Sequence, residues 1–160
     1  MADSGDSRGT RTDVLPRVDR IIAAPEEVIA ESLPDRAAEL LELGETILEN
    51  WLLAHEIVPT QDKLEGFRLL ALHRQGTRGD PSFNACRETC REIVYRSNLA
   101  RAESEPRDAA RAIRLGAMVV RHLALFVYGK LEIAGLGEFC CSSRPLRERE
   151  ASPLPATTNR

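Results

Sequence analysis

Apolar residues recur at three- and four-residue spacing in four stretches of this chain, and each stretch opens on a residue suited to starting a helix. The clearest runs from Asp35 to about Glu56. Leu40, Leu41, Gly44, Ile47, Leu48, Trp51, Leu52 and His55 form its stripe, with Glu39, Glu42, Glu45 and Glu49 largely off it. A second helix is predicted over Gln61–Gln75. Thr60 is its N-cap, Gly76 its C-cap, and Leu64, Phe67, Leu69, Leu70, Ala71, Leu72 and His73 leave it apolar around most of its circumference.

The third begins at Asp80 and Pro81, a capping carboxylate followed by a residue whose missing N–H costs nothing there. Phe83, Cys86, Cys90, Ile93, Val94 and Ser97 share its inner face. The fourth starts at Pro106 and is the longest, reaching Gly129 or Ile133. Its buried face is traced by Ala109, Ala110, Ile113, Gly116, Ala117, Val120, Leu123, Ala124, Val127 and Leu131, and Gly116 with Ala117 lets another helix come close.

These four segments and their short connectors predict an all-α fold, an up-down antiparallel four-helix bundle. Residues 14–31 read as an N-terminal arm interrupted by Pro16 and Pro25, 32–142 as the bundle domain, and 1–13 and 143–160 as disordered tails. With 160 residues and 42% hydrophobic content there is enough to bury one core, not two.

The net charge of −3 gives no electrostatic footprint for nucleic acid, and aromatics at 4% are too few for base stacking. The most apolar run, Leu115 to Tyr128, is interrupted by Arg121 and His122, so no membrane span is expected. The first residues lack the apolar core of a secretory signal. The expectation is therefore a cytoplasmic protein with reduced thiols.

Candidate chemistry rests on the cysteines. Cys86 and Cys90 at i, i+4 set two sulfurs on one helix face, and Cys140 and Cys141 follow a Gly-rich break that can fold back toward them. With His73 as an imidazole donor the set suits zinc, another soft metal or an iron-sulfur cluster, or a thiol redox pair. Against it stand the irregular ligand spacing and the habit of free cysteine to serve as a small core hydrophobe. Without such a site no cofactor is expected.

Arg107, Arg111, Arg114 and Arg121 lie near one face of the fourth helix, a surface for an acidic partner or one neutralised by Glu39, Glu42, Glu45 and Glu49. Trp51, Phe67, Phe83 and Phe126 are candidates for a small-molecule pocket, and Arg68 and Asn84 for polar groups needing partners. Phosphate-loop, nucleophile-elbow and di-iron motifs are missing, which points away from an enzyme. The sequence therefore favours a non-enzymatic accessory or regulatory protein that binds another protein or a second copy of itself, with a cysteine-based metal or redox bundle as the alternative.

Overall fold

The computed structural model describes residues 13–135. Residues 1–12 and 136–160 lie outside it, and with them Cys140 and Cys141 and all but Asp13 of the two expected tails. Among the described residues the chain is mostly helical with no strand. Its α-helices are α1 (Val14–Ala23), α2 (Glu26–Ala30), α3 (Leu33–Ala54), α4 (Arg68–Gly79), α5 (Arg87–Ala102) and α6 (Pro106–Ile133), with a 3-10 turn at Pro81–Cys86.

α3, α5 and α6 pack on one another and supply most of the core, while α4 lies chiefly on α3 and also touches α5 and the 3-10 turn. The arm folds onto its own chain as α1 and α2, both mainly against α6. Val14, Val18, Ile21 and Ile29 carry that contact and are buried. Leu40, Leu43, Ile47, Leu52, Leu69, Leu72, Ile93, Ile113, Val120 and Leu123 are all withdrawn from water, and this apolar burial is the main drive for the assembly.

Gly116 marks the tightest crossing. A Cβ there would stand 2.6 Å from Leu40 Cδ1 and 3.1 Å from Arg96 Cβ. The buried Ser97 hydroxyl donates to the Ala37 carbonyl at 2.9 Å, fixing α5 against α3. By length and composition alone α6 could cross a membrane, but half of its apolar window is buried inside the protein, as in any central core helix.

Two boundaries differ from those the pattern predicts. α4 starts seven residues later than Gln61, at Arg68, because Glu65 and Gly66 take positive φ (53° and 85°) in a tight turn closed by paired Leu64 and Phe67 backbone bonds. Thr60 still caps, but only its own turn, its hydroxyl accepting from the Asp62 N–H. At the other end the helix runs through Gly76 to Gly79. Gly76 is there for room rather than termination, since a Cβ would stand 2.9 Å from the Phe83 ring.

The second difference is at Asp80. Its carboxylate does accept from the Ser82 N–H at 3.0 Å, as a cap should, yet what it caps is the 3-10 turn. α5 proper begins at Arg87, so Cys86 occupies its N-cap position rather than its second turn.

Candidate metal centre

The middle of α4, the 3-10 turn and the first turn of α5 meet around a small buried cluster. His73 comes from α4, Cys86 from the last position of the turn, and Cys90 from one helical turn further on. They are 6%, 3% and 0% exposed. One nitrogen of the imidazole and the two sulfurs all lie within 4.8 Å of one another.

The Phe83 carbonyl organises two of the three. His73 Nε2 stands 3.0 Å from that oxygen, and the Cys86 thiol donates to it, also at 3.0 Å. A carbonyl only accepts, so Nε2 carries the hydrogen and Nδ1 holds the lone pair of the neutral ring. The Phe83 ring is fully buried, stacked on Trp51 at 4.7 Å and on His73 at 5.8 Å. Outside it, Lys130 of α6 donates to the Ser82 hydroxyl at 2.6 Å and lies 3.4 Å from the Asp80 carboxylate, which pins the turn to the bundle.

The two thiols are driven apart in acidity. The hydrogen bond from Cys90, helped by His73 and opposed by burial, lowers Cys86 from an ordinary 9.0 to about 6. The same bond, with burial and the neighbouring negative charge, pushes Cys90 well up. For His73, burial works against the charged ring, but the bonds to Cys86 and the Phe83 carbonyl outweigh it and its pKa is raised. As a thiolate, Cys86 is served by Cys90 and His73; as a thiol it is served by Phe83.

Chemically this is two sulfur ligands and an imidazole at a spacing one ion can bridge. A soft or borderline divalent ion would find three of the four ligands of a tetrahedral site here. His73 Nε2 is committed to a backbone carbonyl, so ligation would fall to Nδ1, and a hydrogen bond of this kind from the other ring nitrogen is the usual support for a ligating imidazole.

The remaining candidates have other placements. Cys140 and Cys141 lie outside the described residues. Arg107, Arg111 and Arg114 surround Glu26 of α2 at 3.4 to 3.5 Å, Arg114 also donates to the Ala24 carbonyl, and Arg121 pairs with Asp19 of α1. Apart from Asp108 of α6 itself, which pairs with Arg111, their acids come from the folded arm and not from Glu39, Glu42, Glu45 and Glu49, which hold Arg17, Arg36 and Arg68 instead. Arg68 thus has the salt bridges expected of a half-buried guanidinium, and its Nε donates to the Thr60 carbonyl.

His55 donates from Nδ1 to the Trp51 carbonyl, a helix-end role. Of the four aromatics proposed as a pocket lining, Trp51 and Phe126 are each in ring contact with Phe83, filling the space beside the turn. The Phe83 carbonyl was invisible to side-chain reading, because a backbone acceptor leaves no trace in composition or spacing. No protein-family model, curated protein or solved structure matches this chain.

Proposed function

We propose that this is a metal-binding helical protein in which His73, Cys86 and Cys90 hold a soft or borderline divalent ion of the zinc class. The convergence of these three buried ligands within 4.8 Å carries the reading. Each of the three is hydrogen-bonded without metal, His73 and Cys86 to the Phe83 carbonyl and Cys90 to Cys86, and one ion of this class would hold both sulfurs and the imidazole at once. A fourth position is left for water, an exogenous ligand or one of Cys140 and Cys141. In the same reading α3 to α6 form an up-down bundle around which α1 and α2 are wrapped, supported by contacts between each successive pair and between α3 and α6.

Cobalt(II) titration of the reduced protein tests it. One equivalent per chain should give sulfur-to-cobalt charge-transfer absorption with tetrahedral visible bands, displaced by zinc. A Cys140→Ser, Cys141→Ser double variant keeps that absorption, and Cys90→Ser loses most of it. Absence of thiolate-to-metal absorption, with all thiols still titratable in the presence of metal, would remove the proposal. Reversible formation of a Cys86 to Cys90 disulfide without metal uptake would replace it with the redox form of the same site.

A second reading, an accessory protein that pairs with a protein surface, is favoured by one observation. Leu115, Met118, Leu125 and Ile133 are exposed along a single ridge of α6. In its homo-oligomeric form this predicts concentration-dependent sedimentation that Met118→Glu abolishes; a monomer at every concentration would exclude that form.

A further inference from the structure

Beside the His73, Cys86 and Cys90 cluster, a cleft of about 280 Å³ is lined by Arg74, Thr77, Asn84, Arg87 and Arg91 as well as by His73 itself. We propose that this cleft binds a small molecule carrying a doubly charged oxyanion, gripped by Arg74 and Arg87.

Charge balance carries the inference. Nine arginines elsewhere or at the rim hold a carboxylate within 4.0 Å: Arg17, Arg36, Arg68, Arg91, Arg96, Arg107, Arg111, Arg114 and Arg121. Arg74 and Arg87 hold none among the described residues, as is true of Arg20, Arg78 and Arg101, but of these five only Arg74 and Arg87 line this cleft. No aspartate or glutamate lines it. Glu65 is engaged with Arg91, which holds that guanidinium at the rim. Two like charges facing one hollow repel, and an anion between them turns that repulsion into attraction.

The donors suit an oxyanion. A guanidinium offers a planar fork matched to carboxylate or phosphate oxygens, and the Asn84 amide adds an uncommitted donor at the cleft wall. The Thr77 hydroxyl is already donating to the Arg74 carbonyl, so it stands ready only as an acceptor. A second hollow shares Leu64 and Arg74 with the first and adds Lys63 and Arg78 against a single acid, Asp62. That extends the positive field outward and steers anions inward. A cleft of this size takes a phosphate monoester or a dicarboxylate, whereas a nucleic-acid backbone needs a long track that the acidic net charge does not provide.

Calorimetric titration of the full chain with inorganic phosphate and, separately, with malonate tests this at low ionic strength, on protein stripped of metal and then freed of chelator so that the metal centre plays no part. Saturable binding of either ion, one per chain, supports the proposal, and the tighter ion shows whether the natural group is phosphoryl or dicarboxylate. Arg74→Gln with Arg87→Gln should weaken binding at least about tenfold. Arg107→Gln, whose side chain is exposed and paired with Glu26, should leave it unchanged. Circular dichroism checks that the double variant is folded, and Arg87→Lys should keep part of the affinity. No saturable binding, binding indifferent to the double substitution, or binding only to a duplex oligonucleotide with steep salt dependence would overturn it. None of these failures touches the metal reading, which is scored by cobalt spectra.

Discussion

Asp80 shows how much one side chain can organise. It caps the turn that presents Phe83 and Cys86, accepting from both the N–H and the hydroxyl of Ser82, and it faces Lys130. The Ser82 hydrogen bonds, and after them the lysine, hold its carboxyl below the ordinary 3.8. The folded carboxylate therefore binds its proton less tightly than the unfolded one, so its contribution is complete above 3.8 and is lost as pH falls through the lower folded value. Asp80→Ala should cost about 1 kcal/mol at neutral pH, and the gap from wild type should close below the carboxylate range. Urea unfolding at the two pH values checks this; a gap that persists unchanged in acid would show that the charge is not what matters.

At this scale the sequence was informative where side chains carry the chemistry. Cys86, Cys90 and His73 were all legible, two from helical spacing and one as a ligand type. The Asp80 cap was legible from Pro81 behind it. What was hidden is whatever depends on distant partners. Glu26 and Asp19, which meet Arg107, Arg111, Arg114 and Arg121, come from an arm whose folded position no local pattern specifies. Arg74 carries no signal in the pattern, because being without a carboxylate is a property of the fold.

Among the elements, glycines report how closely helices approach. At Gly116 and Gly76 an added methyl would strike Leu40 and the Phe83 ring. Gly116→Ala and Gly76→Ala should each destabilise by about 1 to 3 kcal/mol. They differ in kind, because Gly76→Ala displaces Phe83 and should also weaken metal binding, whereas Gly116→Ala leaves the centre intact. Gly129 in the same long helix faces open space, so Gly129→Ala should stabilise by about 0.5 to 1 kcal/mol. Thermal melts and cobalt titrations of the three variants separate these outcomes; equal effects on metal affinity would break the link between α4 packing and the site.

The same glycines explain which elements were readable. Gly116 lies in a long periodic stripe, and its role as a close-approach point follows from its place among Ile113, Ala117 and Val120. Gly76 follows a short apolar run and reads as a stop, since the pattern cannot say that a phenylalanine seven residues later will lie across it. The late start of α4 has a similar origin. Leu64 and Phe67 sit at helical spacing, but the left-handed turn at Glu65 and Gly66 uses them as a closing pair instead.

For the whole molecule, the buried faces of α5 and α6 were legible nearly residue by residue, because amphipathic periodicity is written by the core itself. The arm was harder, since Pro16 and Pro25 obscure its period. Its burial of Val14, Val18, Ile21 and Ile29 makes it part of the folded unit. Ile29→Ala should cost about 2 to 5 kcal/mol, in the range for a fully buried isoleucine, and do so in the same cooperative transition as Ile113→Ala on α6. A separate early transition for the Ile29 variant would mean that the arm is an independent appendage.

The account turns on whether buried sulfur and imidazole ligate a single ion. X-ray absorption at the zinc edge, on zinc-loaded protein carrying Cys140→Ser and Cys141→Ser, tests that most directly. The first shell should contain two sulfurs at about 2.3 Å and an imidazole nitrogen at about 2.0 Å. A shell of oxygen and nitrogen alone, with no sulfur, would contradict it.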